Sequence, residues 1–286
     1  MSRNNQSRLA APIEDAQEGQ IFANNNLNFP RSTQYVDLPS EGLCYPKNSP
    51  LYNKKTVEIK DLTTKEEDIL SNMDYIKRGV VFDKLLDSII VDKSVKPGDL
   101  LPGDKDALLI AARIDGYGPQ YVVSDIQCPK CEKKQDFSYN LLDFAPINHL
   151  VGLETWKEAL EESESGTFHL LIKHSNLLLE LKLLNSKELL EVEKQTEEQR
   201  DKKKEPTPKF NQLSKMIVSV NGSSDREDIK NAINSLKGYD VRFILKVYTD
   251  LNPKVDKRLE FVCSTPGCDH TEKTEVQITY KFFWFD

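Results

Sequence analysis

The chain has no apolar run approaching the ~18 residues that a bilayer-spanning helix needs, and no charged-then-apolar amino terminus of the signal-peptide kind. With 30% charged residues and a mean hydropathy of −0.55, the expectation is a soluble protein. Positive charge is in deficit: 39 Lys and Arg against 46 Asp and Glu leave a net charge of −7, which disfavours dependence on a nucleic-acid backbone. Catalytic signatures are missing too. There is no His-Glu-x-x-His, no Gly-x-Ser-x-Gly and no phosphate-cradling glycine loop; Gly116-Tyr117-Gly118-Pro119 reads as a turn. Histidine is scarce, at four residues. His169 and His174 fall on the strand-like run Thr167–His174 and point to opposite faces, so they cannot jointly hold a metal. His149 stands alone. No enzyme is expected.

What the chain does have is two cysteine pairs, Cys128-Pro-Lys-Cys131 and Cys263-Ser-Thr-Pro-Gly-Cys268. Short steps of this kind, with Pro129 or Pro266-Gly267 inside the turn, let two thiolates face one ion, and two such steps complete a tetrahedral zinc site. Five cysteines in knuckle spacing suit a metal in a reducing compartment better than a disulfide framework. Structural Zn2+ on Cys128, Cys131, Cys263 and Cys268 is the expectation, against free buried thiols as the competing reading. His270 is a spare ligand that four thiolates make unnecessary. A closed all-cysteine shell holds no position for water, which argues against zinc catalysis. Cys44 has no neighbouring partner and reads as a buried small hydrophobe rather than a nucleophile.

Residues 132–262 separate the two pairs, far more chain than a zinc ribbon carries. An internal duplication explains the distance. Leu101–Cys128 aligns with Leu236–Cys263 without a gap, matching Leu101 with Leu236, Gly103 with Gly238, Asp115 with Asp250 and Cys128 with Cys263. Upstream and in the same order, Val57–Leu70 matches Leu179–Val192, with Glu58/Glu180, Lys60/Lys182, Leu62/Leu184, Lys65/Lys187 and Glu66/Glu188 identical. Thr63 or Thr64 caps the helix of the first copy and Asn185 or Ser186 that of the second. The amphipathic runs Phe82–Ile90 and Phe210–Val218 add a looser third match. The fold class that follows is α+β: two tandem copies of a strand–helix–helix–helix–hairpin module joined through one four-cysteine, zinc-ribbon-like site. The alternative is that two α/β segments share such a pattern by chance.

The domain plan is an extended or disordered arm over residues 1–35, a first module over 36–145, a connector over 146–178 and a second module over 179–286. Within the connector, Leu153–Glu162 is a short helix candidate. Residues 191–209 read as a charged helix end running into a proline-bearing loop, whose Lys202–Lys204 run is a solvated terminus rather than a nucleic-acid patch. The chain ends in Ile278–Asp286, dense in aromatics. Strand alternation would turn Ile278, Tyr280, Phe282 and Trp284 inward and leave Phe283 and Phe285 on the other face, part of it available for assembly.

These residues resemble the baseplate hub subunits of T-even-type contractile-tailed bacteriophages. The resemblance is carried by Leu38–Tyr45, Val57–Leu70, Leu101–Leu109, the two knuckles and Phe282–Trp284, over roughly residues 36–145 and 236–286. Two departures stand out: Phe285 follows Trp284 where the family often has proline, and Glu132 and Asp269 follow the second cysteine of each knuckle where glycine is common. The resemblance implies a structural protein of the virion tail baseplate, assembled in the host cytoplasm and contacting other hub, baseplate or tape-measure proteins. Two alternatives remain at this stage. One is a hub assembly factor absent from the finished particle. The other is a zinc-ribbon nucleic-acid-binding regulator, favoured by Lys130, Lys133 and Lys134 but opposed by Asp269, Glu272 and Glu275.

Overall fold

The computed structural model describes residues 31–163 and 166–284. Most of the amino-terminal arm, together with Phe285, lies outside those residues. The first described element is a hairpin of β1 (Thr33–Asp37) and β2 (Thr56–Lys60), in antiparallel register with Val36 opposite Val57. Its long connection carries Pro39, Pro46 and Pro50 and runs through successive hydrogen-bonded turns, which bury Leu38, Cys44, Tyr45 and Leu51. Gly42 lets this connection double back. Its φ is +75°, and a Cβ there would stand 2.3 Å from the Lys54 nitrogen.

Three short helices follow, α1 (Thr64–Leu70), α2 (Met73–Lys77) and α3 (Val81–Ile89). The α1 start is fixed by Glu66, whose carboxylate accepts from the Thr63 N–H at 3.0 Å and hydroxyl at 2.6 Å. Along α3, Val81, Leu85, Leu86 and Ile89 form one buried face at helical spacing. Helix α4 (Pro102–Tyr117) opens on a proline, which needs no N–H partner in the first turn. It absorbs Gly116 and Tyr117, expected as a turn, and ends at Gly118 with φ +80°. β3 (Gln120–Gln127) and β4 (Lys134–Asn140) then form the hairpin that carries the first knuckle.

The connector holds β5 (Ala145–Ile147), α5 (Leu150–Trp156) and β6 (Leu160–Glu162). The helix expected over Leu153–Glu162 therefore starts earlier and stops at Trp156. Its last residues instead form a strand with β7 (Thr167–Ile172), the edge of a four-stranded sheet ordered β6-β7-β8-β9 with β8 (Leu177–Lys182) and β9 (Ile217–Val220). Between β8 and β9 lie α6 (Ser186–Asp201) and α7 (Pro208–Met216). Asn185 caps α6, accepting from the Glu188 N–H at 2.9 Å while Glu188 accepts from the Asn185 N–H at 3.2 Å. Then come α8 (Arg226–Ser235), α9 (Gly238–Leu251), β10 (Lys254–Asp256), β11 (Arg258–Val262) and β12 (Thr271–Glu275).

The architecture is thus mixed helix and sheet. The two halves repeat a sequence of devices. After α3, Ile90 bridges Ile59 of β2; after α7, Ile217 pairs with Leu181 of β8, the residue aligned with Ile59. Each half holds four helices where the sequence pattern predicts three, because α2 and α8 are too short or too polar to stand out as separate periodic runs. One hydrophobic core runs from Val36 to Phe283 and takes side chains from both halves. The halves also interlock by backbone. β10 pairs with β5, and the Ser186 N–H and hydroxyl both donate to the Leu100 carbonyl at 2.9 Å. A Cβ on Gly103 of α4 would stand 2.1 Å from the Pro253 carbonyl, so only glycine admits that approach.

The aromatic terminus corrects its expectation. Tyr280–Phe283 forms a 3-10 turn rather than a strand, and Phe282 and Phe283 are both buried while Tyr280 and Trp284 are exposed. The cause is Arg113, a buried α4 side chain whose Nε donates to the Phe282 carbonyl at 3.0 Å and whose Nη1 donates to the Gly118 carbonyl at 2.9 Å. Consecutive residues then enter the core together. Phe282 packs on Tyr121 with ring centroids 5.2 Å apart, and Phe283 on Phe82 at 5.9 Å.

Candidate metal centre

The β3–β4 and β11–β12 hairpins bring their knuckles together. Each knuckle is a tight turn closed by backbone hydrogen bonds: the Cys128 N–H donates to the Lys133 carbonyl at 3.0 Å, and the Cys263 N–H to the His270 carbonyl at 2.9 Å. The residue after the second cysteine is left-handed in both turns, with φ +59° at Glu132 and +49° at Asp269. Glycine adopts that conformation without strain, and a residue with a Cβ pays for it. The glycine common at this point of such knuckles thus has a physical reason, and this chain departs from it at a cost in strain rather than in ligands.

The four Sγ atoms lie within 4.8 Å of one another. Cys128 and Cys268 are 3.7 Å apart, and so are Cys131 and Cys263. Both short edges cross from one knuckle to the other. A tetrahedron with metal–sulfur bonds of about 2.3 Å has edges of about 3.8 Å, whereas a disulfide needs about 2.05 Å. The spacing is that of a four-thiolate metal shell, and the cysteines are free thiols. Cys128, Cys263 and Cys268 are buried and Cys131 is partly so. Phe261 completes a small separate core around the sulfurs, with the tilted Phe137 ring 5.4 Å away and Ile126 packed against the cluster.

The thiols are poised unequally. The backbone N–H of Lys133, then the Thr265 hydroxyl, pull Cys131 down to about 6, and Thr265 also lowers Cys263. Burial first, then the neighbouring sulfurs, push Cys268 up to about 12. Negative charge is accommodated on part of the cluster, and full ionisation of four adjoining thiols calls for a cation among them. The donor set therefore fits a thiophilic tetrahedral ion such as zinc.

Side chains tie the knuckles together independently of the metal. Lys130 donates from Nζ to the Cys268 carbonyl at 2.6 Å. Gln135 Oε1 accepts from the Ser264 N–H and hydroxyl, both at 2.9 Å, while its Nε2 donates to the Val262 carbonyl at 3.3 Å.

The other candidates fall elsewhere. His270 turns to Glu272, with Nε2 to Oε2 at 3.4 Å, and is not in the sulfur cluster. His149 is fully buried at the start of α5, 3.4 Å from Glu162, and burial lowers its pKa. His169 lies on β7 opposite Glu180, and His174 is in the following turn, 3.6 Å from Asp240. Cys44 is buried and its thiol is pushed far up by burial, then by Asp104, which keeps it protonated.

Two acidic residues escaped the sequence pattern. Asp104 and Asp240, each the third residue of its long helix, are 0% and 1% exposed. Asp104 accepts from the Ser40 N–H at 2.9 Å, the Ser40 hydroxyl at 2.6 Å and the Tyr45 hydroxyl at 2.6 Å. Burial raises its pKa against the pull of those donors. A carboxylate in a first helical turn is ordinary in sequence, so nothing marked either residue as buried.

A family model described as T4 bacteriophage base plate protein matches residues 45–284. The chain belongs to that family. Its role is structural, in a bacteriophage baseplate, and its place is the virion tail. The match takes in both knuckles and ends at Trp284, and it covers most of the segments that carry the resemblance to baseplate proteins. Comparison with curated proteins and with solved structures gave no match. No helix among the described residues is long and apolar enough to cross a membrane.

Proposed function

We propose that this chain is a non-catalytic structural subunit of the hub region of the baseplate, built from two copies of one module that a structural zinc ion clasps together. The observation that carries the reading is the four-sulfur cluster itself, with two cysteines from each half and both 3.7 Å separations crossing between them. An ion there closes a loop of more than a hundred residues and stabilises the docked pair of hairpins. Four thiolates saturate zinc, so no position is left for a reacting water. The matched capping boxes at Thr63–Glu66 and Asn185–Glu188, and the paired bridges at Ile59 and Leu181, support the duplication.

The partners in this reading are other hub and baseplate proteins, with the tape-measure protein as a further candidate, assembled in the host cytoplasm. The nucleic-acid alternative is weakened by how the knuckle lysines are used. Lys130 is committed to the Cys268 carbonyl, and Lys134 stands 3.5 Å from Asp125. Quantitative mass spectrometry of purified virions and of hub subassemblies tests the assignment. Stoichiometric recovery in both supports a hub subunit. Recovery from subassemblies but not from virions replaces it with the assembly factor, and recovery only from peripheral baseplate fractions removes the hub.

A further inference from the structure

Beside the sheet lies a cavity of about 820 Å3, between α5, the end of β7 and the start of α9, walled by Trp156, Leu171, His174, Tyr239, Asp240 and Phe243. Its volume falls within the range of about 300–1,000 Å3 that holds small ligands or a few side chains. The walls are aromatic. Phe243 meets Trp156 edge to face with centroids 5.5 Å apart, and the rings of His174 and Tyr239 are 6.2 Å apart. Tyr239 is 67% exposed, an unusual place for a large ring with no function in the core. Trp156 is held in position by its indole N–H, which donates to Asp250 Oδ2 at 3.0 Å, and its ring already has the Lys246 ammonium 5.4 Å from its centroid.

Asp240 makes this more than an apolar groove. It is 1% exposed, and its Oδ2 accepts from the Ser175 hydroxyl with His174 Nδ1 at 3.6 Å. Its Oδ1 is buried and accepts no hydrogen bond from the described residues. A buried carboxylate oxygen without a donor is costly, and native structures rarely leave one without a reason. Asp104, likewise the third residue of its helix, has donors on both oxygens. The other lining residues that carry a full charge are Lys173 and Glu158, one of each sign.

We propose that this cavity receives an arginine side chain from a partner protein. A guanidinium is planar, stacks on aromatic faces, is weakly hydrated, and carries donors in its plane that supply the hydrogen bond Oδ1 lacks. Flanking apolar residues of the same partner segment fit the Leu171 and Phe243 walls. The side chains next to Asp240, His174 and Tyr239, are both exposed, so admitting the guanidinium takes rotamer changes rather than backbone movement. The identity of the partner as a baseplate protein rests on the proposed function; the recognition chemistry does not.

The test uses the full chain and an isolated peptide, so its outcome is independent of where the protein sits in the virion. Acetyl-Leu-Arg-Leu-amide is titrated while the Trp156 indole resonance is followed by NMR, with Trp284 as the internal reference. The expected result is a saturable shift at Trp156, with the neutral citrulline analogue binding about tenfold or more weakly. Asp240→Asn is expected to remove that preference. Tyr239→Ala, at an exposed position, is expected to weaken arginine binding while leaving thermal stability unchanged, which covers the case in which Asp240→Asn disturbs folding. No saturable shift up to about 10 mM peptide, or equal binding of the citrulline peptide, overturns the proposal.

Discussion

Asp104 and Asp240 are each the third residue of a long helix, one in each half of the molecule, and are served by different surroundings. Above Asp104, the long β1–β2 connection folds down and delivers Ser40 and Tyr45; Tyr45 then also accepts from the Leu101 N–H at 2.8 Å. The connection between β7 and β8 is only a short turn, which delivers Ser175 and stops. The first half has thus closed its helix start with its own chain, and in the second the helix start lies beside an open aromatic cavity. A buried helix start needs its polar groups served, and here one is served by its own chain while the other borders a cavity.

Three predictions break or sharpen this comparison. The largest effect belongs to what the halves share. Cys128→Ser and Cys263→Ser each remove one ligand from one knuckle, and both should lower bound zinc from about one ion per chain and cost several kcal/mol in urea unfolding. A loss confined to one of them would mean that the knuckles do not act as one clasp. Next is the pair of aspartates. Asp104→Asn turns an amide toward donors that need an acceptor, and should cost about 3 kcal/mol, whereas Asp240→Asn should cost less than about 1 kcal/mol because one of its oxygens is unserved. Equal costs would show that the two sites are equally structural. The smallest effect is at the knuckle turns. Glu132→Gly and Asp269→Gly relieve left-handed backbone strain, offset by the greater freedom of glycine in the unfolded chain, and each should raise stability by about 0.5 kcal/mol. Calorimetry on the metal-loaded protein would show a drop instead if either side chain were holding its turn.

Much of this was legible in the residues. The knuckle spacing named all four sulfurs that the structure brings together, since a ligand pair within one turn is a local feature. The capping residues Thr63 and Asn185 were legible for the same reason: a cap acts over three positions of chain. Other features were not. Tyr280–Phe283 has the alternation of a strand, but Arg113, more than a hundred and fifty residues away, holds the Phe282 carbonyl and turns both Phe282 and Phe283 inward. Leu160–Glu162 continues a helical pattern, yet the edge of β7 offers its unpaired hydrogen-bonding groups and draws these residues into the sheet. Local propensity gives way in both places to partners that sequence proximity does not supply.

The sequence by itself determined which four cysteines cluster, the helix caps and the family to which the chain belongs, because these depend on residue type and short spacing. Only the tertiary structure decided which acidic residues are buried, that Asp104 is fully served while Asp240 keeps one oxygen without a donor, and that a cavity lies beside the second. Burial and hydrogen-bond satisfaction are properties of surroundings assembled from distant segments. Two buried aspartates, each third in its helix, therefore differ in how fully their oxygens are served.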